Sequence, residues 1–140
     1  MEVSLLALLA TAMPVVIGSA FSGSDNSEVA AVESAAQWLA LVDEGNISAS
    51  WDQSAKLLKS SMQQEQWTKM LQARLALGRL ESRKLMFAKY AKASVPGAPN
   101  GEFFVIQYDS SFEHKKSILE MVTPILEEDG QWRVAGYSAR

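Results

Sequence analysis

The chain contains no cysteine among its 140 residues. That absence excludes a disulfide framework, a thiolate zinc site, thiol catalysis and attachment of a lipid to an N-terminal cysteine. Histidine is almost as scarce: His114 is the only one, so any histidine-based metal site would need carboxylates for all its other ligands. No Ser-His-Asp arrangement suits it either, because His114 sits in "EHKK", read as a hairpin reversal. The eight glycines are scattered and form neither GxGxxG nor GxxxxGKS, which leaves no phosphate-cradling loop. Basic charge is thin as well. Thirteen Lys and Arg against sixteen Asp and Glu give a net charge of −3, and the nearest clusters are Arg83-Lys84 and Lys115-Lys116. Nucleic-acid binding needs a basic stripe, so it is excluded as a reading. No cofactor or metal is expected.

What the chain does have is apolar residues, 48% of the total, which suits one globular domain and a short extra segment. Residues 3–20, "VSLLALLATAMPVVIGSA", carry no charge and end in small residues. Gly18-Ser19-Ala20 has the small-x-small form of a signal peptidase site, with cleavage before Phe21. The segment lacks a leading Lys or Arg and contains Pro14, so a membrane anchor and a buried N-terminal helix stay open beside a cleaved export signal. "FSGSDN" then reads as a linker over 21–26, and the domain as 27–140.

Periodicity predicts three helices. The first spans Ser27 to Glu44, with an apolar face of Val29, Val32, Ala36, Leu39 and Val42, Trp38 beside it, and Gly45 as the stop. Ser48 or Ser50 starts the second, carrying Trp51, Ala55 and Leu58. Ser61 opens the third, with Gln64 completing a capping box, Trp67, Met70, Leu71, Arg74, Leu75 and Leu77 along it, and Gly78 closing it.

The period then drops to two. A strand around "LESRKLMFAKYAKASV" sets Leu85, Phe87 and Ala91 against Lys84, Met86 and Tyr90. "PGAPNG" turns the chain, and "EFFVIQYDSSF" places Phe104, Ile106, Tyr108 and Phe112 on one face. "SILEMVTPILEE" is a third strand, whose Pro124 implies an edge or a bulge. Asp129-Gly130 is a two-residue hairpin signal before "QWRVAGYSA". Alternation there points Trp132 and Val134 to the core and Arg133 to solvent; a bulge at Gly136 would return Tyr137 to the Trp132 side. The fold class expected is α+β: three N-terminal helices packed on a curved four-stranded antiparallel sheet.

The segments "AAQWLALVDEGNISASWDQSA", "QEQWTKML", "SRKL", "VPGAPNGEFFVIQYDSSF" and "DGQWRVAGY", in that order and spacing, resemble a bacterial family known as domain of unknown function 4019, from about Ala31 to Tyr137. The resemblance implies an exported protein and a cone-like fold similar to nuclear transport factor 2 or cystatin. It implies no activity.

Two classes of site remain. A cone-fold isomerase or hydratase would use one buried carboxylate of raised pKa as a base, with a tyrosine at the oxyanion. Asp52, Asp109 and Glu120 are the acid candidates, and Tyr108 or Tyr137 the donor. The alternative is a non-enzymatic module of the cell envelope that binds a small apolar ligand or a protein partner, with Trp38, Trp51, Tyr108, Trp132 and Tyr137 lining the pocket. A tethered module follows if residues 3–20 are retained. The same aromatics would also serve as plain core. A filled interior and an exposed apolar sheet face would favour the partner module.

Overall fold

The computed structural model describes residues 23–94 and 101–140, with side chains described from residue 26 onward. Among them lie four helices, α1 (Gly23–Asp43), α2 (Ile47–Asp52), α3 (Lys56–Ser61) and α4 (Gln64–Leu75). Four strands follow: β1 (Leu80–Lys92), β2 (Glu102–Phe112), β3 (Lys115–Leu126) and β4 (Trp132–Ala139). The strands pair in sequence order as an antiparallel meander. The class is α+β, as expected. The export or anchor segment and the 95–100 turn lie outside the described residues.

The helical layer departs from the expected one in three places. α1 begins at Gly23, inside the segment read as a linker. Its buried stripe is Ala31, Ala35, Trp38, Leu39 and Val42, while Val29 is 59% exposed and Ala36 is also exposed. Apolar periodicity alone favours the larger valines. The tertiary fit chooses the small alanines, which admit the helix close to its neighbours and bring Trp38 into the centre. The expected second helix is two short ones, α2 and α3, broken at Gln53–Ala55. Asn46, not Ser48 or Ser50, caps α2 through its side chain on the Ala49 N–H. The capping box of α4 is Gln63 with Gln66, two residues later than Ser61 with Gln64.

Ser50 and Ser54 have another task. Both are buried, and they satisfy two indole donors: Trp38 Nε1 donates to Ser50 O and Ser54 Oγ, each at 3.1 Å, and Trp67 Nε1 donates to Ser50 Oγ at 3.2 Å. A buried indole N–H without an acceptor costs about 1–3 kcal/mol, so these serines permit two tryptophans to be fully interior.

The sheet turns one face to the helices. Phe104, Ile106, Tyr108 and Phe112 are all buried there, as the alternation of β2 requires, joined by Ser110. β1 carries a register shift between Leu85 and Phe87 that leaves Met86 as an extra residue. The shift reverses the parity, so Leu85, Ala88 and Tyr90 share the inner side, and Phe87 and Ala91 join Lys84 on the outer one. The expected grouping of Leu85 with Phe87 is therefore wrong. β3 is an interior strand, so Pro124 does not mark an edge. It marks a bulge: the β3–β4 register slips between Thr123 and Pro124, skipping Ala135. The β3–β4 loop is also longer than two residues, since Glu127 N donates to Gln131 O across it at 2.9 Å and Gly130 adopts φ +83°.

The outer edge of β4 is closed by the helices. Ser34 Oγ donates to Trp132 O at 2.7 Å, and Ala55 N donates to Val134 O at 2.8 Å. At the other end, the turn between β2 and β3 is pinned by Glu113 N to Arg79 O and His114 N to Leu77 O, both 2.8 Å. Gly78, at φ +90°, lies under that turn; a Cβ there would come within 2.8 Å of Glu113 and His114.

Candidate functional site

The five aromatics named as a pocket lining do not converge on an enclosed cavity among the described residues. Trp38 is 3% and Tyr108 5% exposed, and Trp51, Trp132 and Tyr137 pack against the same core. Ring contacts run from Tyr137 to Trp38 (5.3 Å), Trp38 to Trp67 (5.5 Å) and Trp67 to Trp51 (6.4 Å). A second set joins Trp132 to Phe104 at 5.3 Å. These rings fill the space between the layers. Where they reach the surface they part company. Trp38 and Trp132 edge an open groove of about 720 Å³ between α1 and the β3–β4 loop. Tyr137 opens on a separate cleft of about 360 Å³, and Trp51 on a shallow depression beside Lys59–Gln64.

The acid candidates separate as sharply. Asp52 and Asp109 are exposed. Glu120 is fully buried at the centre of an ionic network. Its Oε1 accepts from Arg83 Nε at 2.7 Å and from Ser110 Oγ at 2.6 Å, and its Oε2 accepts from the Tyr137 hydroxyl at 2.5 Å. Arg83 also grips Asp43 bidentately, Nη1 to Oδ2 at 2.8 Å and Nη2 to Oδ1 at 3.0 Å. Arg74, whose side chain is 4% exposed, donates through Nη2 to Asp43 and through Nε to Tyr137 Oη at 3.2 Å, with its guanidinium 4.3 Å over the Phe112 ring.

The elements explain the placement. Asp43 ends α1, where a carboxylate meets the negative end of the helix and no basic residue stands in the last turn to offset it. Two arginines from elsewhere supply that offset. Arg74 comes from α4, Arg83 from β1, Ser110 from β2, Glu120 from β3 and Tyr137 from β4, so the network ties α1 and α4 to all four strands. Tyr137 reaches it because the bulge at Ala135 turns it inward.

Burial pushes the Glu120 carboxyl upward, but the Arg83 hydrogen bond and charge, with Ser110 and Tyr137, outweigh burial and hold it below the usual carboxylate range. Tyr137 moves the opposite way: burial and the Glu120 charge raise its phenol well above the ordinary value. Tyr108 is raised too, chiefly by burial, and its hydroxyl is sealed with no partner among the described residues. A base catalyst needs a raised carboxyl facing substrate. Glu120 is instead held below the usual carboxylate range by donors on three sides, the environment of a structural counter-ion.

Sequence reasoning named Glu120 and Tyr137 but missed Asp43, Arg74 and Arg83. A signal existed for one of them: Arg74 stands among the apolar residues of α4, where a charge is out of place unless it is paired inside. Arg133, expected to face solvent, folds back on Glu127 Oε1 at 2.8 Å and also binds Asp129. His114 is exposed, and among the described residues no three His, Asp or Glu side chains are grouped to hold a metal ion. No described helix is long and apolar enough to cross a membrane.

These features define a two-layer α+β domain: a helical layer on an open antiparallel meander, locked by a buried, charge-balanced network. The profile of a family described as a protein of unknown function, DUF4019, matches residues 34–137, and the chain belongs to that family. Comparison with curated proteins and with solved structures finds no match.

Proposed function

We propose that this chain is a non-enzymatic module of the bacterial cell envelope that docks another protein through the outer face of its sheet. One observation carries this reading. The outer face brings together Phe87, Phe103, Val105 and Met121 by register, each partly exposed, around the buried Ile125, while every described helix contributes to the core on the inner face. Such a patch on a free sheet face marks an interaction surface. Strands of this length at about 3.3 Å per residue and about 4.8 Å apart make a face of about 700 Å². A standard interface takes about 800 Å² from each partner.

Glu120, the buried acid among the sequence candidates, speaks against the isomerase or hydratase alternative, since its carboxyl is lowered where a base would need it raised. Export rests on the uncharged run at 3–20 and the Gly18-Ser19-Ala20 site. We take the architecture to be a shortened relative of the nuclear transport factor 2-like cone, on the strength of its helices-on-meander layering.

The test is a photoreactive residue at Val105 in the full chain in cells, with Glu65 on the exposed side of α4 as the control site. A discrete adduct at Val105, absent at Glu65, with the adduct partner's purified binding lost in Val105→Glu, is the expected result. Equal labelling at both sites, or none at Val105, overturns the docking surface. Mass spectrometry of the purified protein checks export: a mature chain starting at Phe21 is expected, and an intact Met1 overturns cleavage.

A further inference from the structure

The cleft of about 360 Å³ at the foot of the ionic network has properties that the network does not explain. Its walls are apolar, built by Met70, Ala73 and Leu77 on the α4 side and by Ile118 and Ala139 on the sheet side. Its charged lining is of one sign: Arg74, Lys115 and Arg140, with no Asp or Glu. The network itself is balanced, Arg74 and Arg83 against Asp43 and Glu120. The Lys115 and Arg140 side chains make no ion pair with an Asp or Glu among the described residues. A chain of net charge −3 thus presents a locally cationic, apolar-walled cleft. At the back of it, Arg74 Nη1 makes no hydrogen bond among the described residues, while Nε and Nη2 are committed.

We propose that this cleft binds a free amphipathic carboxylate, an unbranched acid of medium chain length. The apolar chain lies along Met70, Leu77 and Ile118, and the carboxylate meets Lys115 and Arg140 at the mouth, within reach of Arg74. Size supports this class. At about 30 Å³ for a water-sized group, the cleft accommodates about a dozen heavy atoms. Apolar surface supplies affinity here and the cations supply orientation and selectivity against neutral or cationic chains. The site is independent of the outer sheet face, because Tyr137 and Ile118 belong to the inner side.

Isothermal titration of the full chain with octanoate tests it, with octanol, octylamine and inorganic phosphate as comparison probes. Octanoate binding about tenfold tighter than octanol or octylamine, weakened by salt, and about tenfold weaker in Lys115→Glu is the expected result. Lys115 is exposed, so that variant keeps its fold, which circular dichroism verifies. Ala73→Phe, which fills the cleft from the exposed side of α4, abolishes binding while leaving Val105 crosslinking unchanged. Octanol binding as well as octanoate, phosphate displacing octanoate at equal concentration, or full affinity in either variant overturns the site. Retention on acidic phospholipid vesicles with no octanoate binding also overturns it, since the ligand would then be a membrane surface.

Discussion

The hydroxyl of Tyr137 donates to Glu120 Oε2 from a diagonal position across the β3–β4 ladder, where Tyr137 stands opposite Val122 and Glu120 opposite Ala139. Without the bulge at Ala135, the phenol would lie on the other face of the sheet. A single skipped residue therefore decides whether the buried carboxylate has its third donor.

Glu120→Ala leaves Arg83 facing only Asp43 and removes the acceptor of Ser110 and Tyr137. Breaking a buried pair from one side costs about 3–5 kcal/mol, and urea unfolding is expected to show a loss of that size. Glu120→Gln, which keeps one oxygen acceptor, turns the other into an NH2 donor and removes the charge, loses less.

The acid limb of stability carries the signature of the same residue. The Glu120 carboxyl is depressed in the folded state, so its contribution is fully present above the ordinary carboxylate value of the unfolded chain and disappears as pH falls through the lower folded value. Tyr137 works at the other end: its raised phenol contributes stability that is complete below its ordinary 10.0 and is lost as pH rises through the folded value. Thermal unfolding between pH 3 and 6 is expected to show a steep acid decline that is shallower in Glu120→Gln.

Tyr137→Phe removes the hydrogen bond to the charged Glu120 acceptor and the one accepted from Arg74 Nε, and retains the ring against Trp38. About 1.5–3 kcal/mol is expected, with no change in near-ultraviolet circular dichroism from Trp38. A loss below 0.5 kcal/mol, an order-of-magnitude bound for an unimportant contact, would show that water replaces the phenol at Oε2.

Gly78 and Gly130 share a positive φ but differ in space. A Cβ at Gly130 meets nothing within 4 Å, so Gly130→Ala costs only the backbone strain, about 1–2 kcal/mol. Gly78→Ala adds a contact of 2.8 Å with Glu113 and His114 and is expected to cost more and to loosen the β2–β3 turn. Comparing the two melting temperatures and the amide exchange of His114 tests both parts.

Glu127 caps a helix that lacks a capping side chain of its own: its Oε2 accepts the Lys56 N–H at 2.7 Å while Oε1 holds Arg133. Glu127→Ala is expected to cost about 1–2 kcal/mol and to leave Arg133 paired with Asp129 alone, detectable as faster exchange in α3 and the β3–β4 loop.

The parts of the fold that could be read from the chain are those where one local rule dominates. The β2 face followed from strict alternation of bulky residues, Gly45 and Gly78 from their place after apolar runs, and the α+β class from the change of period near residue 80. The errors fall where a local rule met a stronger distant one. Val29 lost to Ala31 because helix approach rewards small side chains. Ser50 left the cap position because two buried indoles needed acceptors. Phe87 changed face because Met86 is a bulge, and a one-residue slip inverts all that follows. The candidate site was legible only in fragments, since its members are scattered from Asp43 to Tyr137.

Composition and pattern by themselves determined that cysteine chemistry is unavailable, the layer order and the family resemblance, because those depend on residue type and short-range spacing. Only the tertiary structure decided that Glu120 is buried against Arg83, Ser110 and Tyr137, that Tyr137 faces the core, and that the five aromatics part between separate open clefts instead of one enclosed pocket. Each of those outcomes is set by charges and rings tens of residues apart in sequence, whose energies exist only once the layers close and exclude water.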